Sequence, residues 1–116
     1  MASSANFVQY VAEQCADAGE IVAKKMFGEY GIYCDGKIFG LICDDCLYVK
    51  PTDEGRAVLR EVQMRPPYEG AKDYFYVADV DDRAYLTQLV KVTCAALPEP
   101  KVKAKKKYMN RIEVYE

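Results

Sequence analysis

Asp35-Gly36 separates two short runs rich in β-branched and aromatic residues, 30–34 and 37–43, and no other feature of the chain constrains its fold as much. Asp and Gly both tolerate the positive φ that a type I′ turn demands at its central positions, and such turns match the natural twist of paired strands. Residues 30–43 are therefore expected to form an antiparallel hairpin. A weaker turn signal, Asp44-Asp45, lies between Ile42 and Leu47. Together with the run that begins at Val22, the pattern predicts an antiparallel meander with strands near 22–27, 30–34, 37–43 and 46–50.

Helical spacing flanks this meander. Phe7, Val8, Val11, Ala12 and Cys15 recur on one stripe, Asn6 and Gln9 resemble a capping box, and Gly19 is a natural stop, so a helix is expected over 6–18. A second helix opens at Pro51-Thr52-Asp53-Glu54 with Thr52 or Asp53 as its cap, carrying Ala57, Val58, Leu59 and Val62. The adjacent prolines in Arg65-Pro66-Pro67-Tyr68-Glu69-Gly70 forbid helix and mark a loop. Tyr74-Phe75-Tyr76-Val77 reads as a fifth strand. The last helix is expected over 79–97, with Leu86, Leu89, Val90 and Leu97 on one stripe and Pro98 and Pro100 closing it. The expected fold class is α+β: an antiparallel sheet of about five strands in the order α-β-β-β-β-α-β-α, with helices packed on it.

The 116 residues suit one domain, and 51% apolar with 29% charged residues is a globular balance. We expect a folded body over 1–100 and a basic tail over 101–116. The body holds 10 Lys and Arg against 16 Asp and Glu, net −6; the tail holds 6 against 2, net +4. An acidic body argues against a broad phosphate-binding surface, whereas Lys101, Lys103, Lys105, Lys106 and Lys107 could contact nucleic acid or simply stay solvated. Neither a membrane-length apolar run nor a signal-peptide pattern is present, so a cytoplasmic chain without membrane association is expected. Most of its five cysteines are then expected as reduced thiols.

Candidate chemistry is sparse. With no histidine, the commonest general base and metal ligand are missing. Asp44-Asp45 and Asp81-Asp82 are neighbouring carboxylates, which in a turn or a cap point apart and stay solvated. Cys43-Asp44-Asp45-Cys46 has the spacing of a metal knuckle or redox pair, but a four-thiolate site needs two such pairs. Cys43 and Cys46 are read as structural thiols, with a reversible disulfide and a metal site as alternatives. Gly28-Glu29-Tyr30-Gly31 lacks the rest of any phosphate-loop signature and reads as turn geometry. We therefore expect no catalytic, cofactor or metal site, and a chain that acts by binding.

The segment from Lys25-Met26-Phe27-Gly28 to Asp45-Cys46-Leu47-Tyr48-Val49-Lys50 resembles the signature of the N-terminal domain of the TfoX/Sxy competence-regulator family. The shared features are Met26-Phe27-Gly28, the Gly31-x-Tyr33-x-Asp35-Gly36 hairpin, Phe39 and Ile42, and the Asp45-x-Leu47-Tyr48-x-Lys50 ending. Pro67-Tyr68 and the 74–77 strand extend the resemblance over about 7–97. It departs at Glu29, where the family pattern often has Gly, and at the Cys43/Cys46 pair. The resemblance implies a regulatory protein-interaction module similar to the stand-alone versions of that domain, with nucleic-acid binding through the tail as the alternative.

Strict alternation from the two turns puts Tyr33, Ile38, Gly40, Ile42, Leu47 and Val49 on one face of the meander. It puts Ile32, Phe39, Leu41, Cys43, Cys46 and Tyr48 on the other. Both faces are apolar, unlike a sheet with one wet face. Either the helices divide between the faces, or Ile32, Phe39, Leu41 and Tyr48 meet a protein partner, most simply a second copy of the chain.

Overall fold

The computed structural model describes residues 3–26 and 28–98. Its elements follow in chain order as α1 (Ala5–Gln14), a 3₁₀ turn (Ala16–Ala18), β1 (Ile21–Met26), β2 (Glu29–Cys34), β3 (Lys37–Cys43) and β4 (Cys46–Val49). Next come α2 (Asp53–Val58), β5 (Met64–Arg65), β6 (Tyr74–Val77) and α3 (Arg83–Ala96). The class is α+β, as expected. The sheet has six strands in the order β1-β2-β3-β4-β6-β5, each paired antiparallel with its neighbour.

Both hairpin turns form where their residues require. Asp35 and Gly36 have φ of 51° and 86°, and Asp44 and Asp45 have 53° and 56°, so each pair supplies the two left-handed positions of a tight turn. The added strand, β5, is the two-residue segment just before Pro66-Pro67; the sequence reading placed Arg65 in the loop and gave Met64 no element. Helix boundaries also move. Ser4, not Asn6, caps α1 by accepting a hydrogen bond from the Phe7 N–H (3.1 Å), and Asp82 caps α3 by accepting from the Tyr85 N–H (3.1 Å). Thr52 caps α2 through the Gly55 N–H (2.9 Å).

All three helices pack on one side of the sheet. Val8, Val11 and Cys15 of α1 and its end, with Leu86, Leu89 and Val90 of α3, close on Ile32, Phe39, Ile42, Leu47, Val49, Phe75 and Val77. Val58 and Leu59 add the edge contributed by α2. Of the two alternatives left open by the sequence, the one in which the helices divide between the faces is thereby set aside for the described helices.

The face assignment is corrected as well. Ile32 pairs with Gly40 but Tyr33 pairs with Ile38, which leaves Phe39 as an extra residue in β3, a β-bulge. Alternation counted from the Asp35-Gly36 turn therefore slips by one at Phe39. Ile32 and Phe39 enter the core with no exposed surface, and Tyr33 and Ile38 move to the face bearing Leu41, Cys43, Cys46 and Tyr48.

Candidate functional site

The face of the sheet that no described helix covers, the uncovered face among the described residues, carries the candidate site. Its residues follow from strand alternation and pairing: Val22, Lys24 and Met26 on β1, Gly31 and Tyr33 on β2, Ile38, Leu41 and Cys43 on β3, Cys46 and Tyr48 on β4, Tyr74 and Tyr76 on β6. Of the four residues expected to meet a partner, the structure brings only Leu41 and Tyr48 here. Ile32 and Phe39 lie on the far side, inside the core. Tyr48 is buried although it faces outward, because its ring packs against Tyr76 (centroids 5.8 Å apart). Burial also raises the Tyr48 phenol above its ordinary pKa. Arg65 lies over the other aromatic, its guanidinium 4.0 Å from the Tyr76 centroid, and Lys24 lies 5.2 Å from the Tyr33 centroid.

Beside this aromatic cluster runs a groove of about 490 Å³, lined by Met26, Glu29, Ile38, Leu41, Cys43, Lys50, Tyr68 and Tyr74 among others. Tyr68 stands on the loop after Pro66-Pro67 and is 61% exposed, whereas Pro67 is buried and anchors that loop. Burial, with the neighbouring Tyr68 and Cys43, raises the Tyr74 phenol above its ordinary pKa.

Glu29 closes one end of this region. Its carboxylate accepts hydrogen bonds from the backbone N–H groups of Ser3 (3.0 Å) and Asp44 (2.8 Å). The Asp45 N–H donates to Ser3 Oγ (2.9 Å), and the Ser4 N–H donates to Asp45 Oδ1 (2.8 Å). The chain entering α1 is thus pinned to the β3–β4 turn, and these bonds help offset the left-handed backbone of two residues that are not glycine.

The Cys43/Cys46 pair sits opposite across that turn, with both thiols free. Burial, then Glu29, pushes the Cys43 thiol up to about 11, which keeps it protonated at neutral pH and opposes nucleophilic chemistry. A second gathering of thiols was not visible in the sequence, because its members are far apart along the chain. Cys15, Cys34 and Cys94 meet on the covered side, where the Cys34 and Cys94 thiols share a hydrogen bond. Burial pushes Cys15 and Cys94 up to about 12. Among the described residues no group of three or more Cys, Asp or Glu is placed to hold a metal ion.

The neighbouring carboxylates have separate tasks, as their positions suggested. Asp82 caps α3 and pairs with Arg60, while Asp81 accepts a hydrogen bond from the Tyr10 hydroxyl (2.5 Å). Lys101, Lys103, Lys105, Lys106 and Lys107 lie outside the described residues. No helix among the described residues is long and apolar enough to cross a membrane.

The model of the TfoX N-terminal domain family matches residues 13–97, which takes in the whole sheet, α2 and α3. The chain is also 42% identical over 102 residues to an uncharacterized 12.7 kDa protein from the trpE 5′ region of Spirochaeta aurantia, a match that covers 87% of this chain and 89% of that protein. The matched span holds the Asp35-Gly36 hairpin, the bulged β3 and the uncovered face alike, and the chain belongs to the TfoX N-terminal domain family.

Proposed function

We propose that the chain is a non-enzymatic regulatory module of the cytoplasm that acts by docking a protein on the uncovered face of its sheet, a second copy of itself being the simplest occupant. The observation that supports this reading is the placement of α1, α2 and α3 on one side of the sheet, with Leu41, Ile38, Met26 and Tyr33 on the other. An apolar sheet face without a covering layer is the usual place for a partner to supply one. Family membership supports a competence-regulator-like role. The positive surplus of residues 101–116 supports nucleic acid as a second class of partner, bound with strong salt dependence.

Sedimentation over a concentration series tests the docking surface. Leu41→Asp is expected to stay folded and to lose self-association, because Leu41 is partly exposed and outside the core. Phe39→Asp is expected to unfold, since a carboxylate would enter a site with no exposed surface. A wild-type chain that is monomeric at every concentration excludes the second copy. Capture of the same host proteins by wild type and Leu41→Asp would remove the docking surface altogether.

A further inference from the structure

The groove beside Leu41 has the dimensions and chemistry of a small-molecule site. Its volume of about 490 Å³ falls inside the range of roughly 300–1,000 Å³ typical of ligand pockets. The floor is apolar and continuous because Gly31 has no side chain. Ile38 Cδ1 and Met26 Cε each lie only 3.1 Å from where a Gly31 Cβ would stand, so the two side chains close over the backbone. Leu41 pairs with Gly31 and extends the same floor, and the rings of Tyr68 and Tyr74 form a wall.

Two charged groups face this apolar surface, and their situations differ. Both Glu29 oxygens already accept backbone hydrogen bonds, from Ser3 and Asp44. The Lys50 ammonium has no carboxylate, carbonyl or aromatic partner among the described residues. Several other cations are engaged: Arg60 and Arg83 with aspartates, Lys37 with carbonyls at the end of α3, Lys24 with Tyr33; Lys25, Lys72 and Lys91 make no such contact among the described residues, but they do not line the groove. Lys50 is also partly buried, so its solvation is incomplete while no group among the described residues compensates for it. An anion arriving with an apolar body would supply that compensation.

We propose that this groove binds a small amphipathic carboxylate, its acyl body lying on Ile38, Leu41 and Met26 and its carboxylate pairing with Lys50. One cation beside one committed carboxylate suits a monoanion; a polyanion would bring further negative charge against Glu29. A neutral apolar molecule would fill the groove and leave Lys50 unpaired. The site goes beyond the protein-docking reading and stands without it, since the ligand needs only the isolated chain.

Titration of the full chain with decanoate below its micelle concentration, followed by amide NMR, tests the assignment, with decanol as the neutral control. Saturable shifts are expected at residues 38–43 and 48–50. Decanoate should bind about two- to fivefold more tightly than decanol, the scale of one partly exposed ion pair. Lys50→Met should abolish that preference while the spectrum elsewhere stays unchanged, and Lys50→Arg should retain it. Equal affinity for decanoate and decanol, shifts confined to the helices, the absence of saturable binding, or an unaltered preference in Lys50→Met would each overturn the proposal. A second copy would cover the same Ile38, Leu41 and Met26, so the titration is run at a chain concentration at which sedimentation shows monomer, and the two proposals then fail separately.

Discussion

A methyl group at Gly40 would sit 2.3 Å from the Tyr48 carbonyl oxygen, and that oxygen belongs to the paired strand, which cannot swing aside as a side chain can. Gly40→Ala therefore forces β3 away from β4 and is expected to destabilise the chain at the upper end of about 1–3 kcal/mol, the range for overpacked sites. A urea midpoint equal to that of wild type would show that the two strands do not approach so closely. The thiols give a second prediction at this scale. Cys15 and Cys94, pushed up to about 12 by burial, hold almost no thiolate at neutral pH. Iodoacetamide should modify them only after denaturant is added. Fast native alkylation of either, followed by mass spectrometry, would count against this cluster, in which Cys15 is buried and Cys94 half-buried.

At the scale of elements, α3 depends on charges at its start. Asp82 accepts from the Tyr85 N–H and pairs with Arg60, while Arg83 pairs with Asp17 near the end of α1. The Arg60 hydrogen bond, then the cap, holds the Asp82 carboxyl below its ordinary value, and Arg83 does the same for Asp17. A carboxyl lowered in the folded state adds stability that is fully present above its unfolded pKa, about 3.9, and is lost as pH falls through the lower folded value. Asp82→Asn should therefore reduce stability near neutral pH and flatten its loss below about pH 4. An acid limb as steep as that of wild type would refute the assignment.

The same scale explains what was legible in the sequence. Asp35-Gly36, Asp44-Asp45 and the apolar stripes at Val8 and Val11 and at Leu86, Leu89 and Val90 placed the meander and the outer helices, because turn chemistry and helical period are local properties. β5 was missed because two residues carry no alternation; only pairing with Tyr74 and Phe75 defines it. The candidate site was half legible. Leu41 and Tyr48 were assigned to the right face and Ile32 and Phe39 to the wrong one, through the single bulge at Phe39. Gly40, an isolated glycine inside a strand pattern, was the signal that could have located the bulge. Lys50 and Tyr68 join the groove only through folding, and no spacing rule links them.

At the scale of the whole molecule, the sheet is a partition between a helix-covered core and a surface built from the same strands. Substitutions on one strand consequently have opposite meanings. Phe39 tests folding and Leu41, two residues away, tests association, because the bulge sends their side chains to opposite faces.

The sheet also ends in ways that decide how copies can meet. One outer strand, β5, is two residues long and runs into Pro66-Pro67, whose ring nitrogens have no hydrogen to offer a further strand. At the opposite margin β1 presents Lys24 and Lys25, adjacent, exposed and directed to opposite faces. A second β1 laid alongside would bring ammonium against ammonium on both faces, so strand-by-strand growth into a fibre is disfavoured at each margin. With growth along both margins disfavoured, a second copy docking as proposed would have to meet the chain across its apolar face, and a contact of that kind closes at two copies.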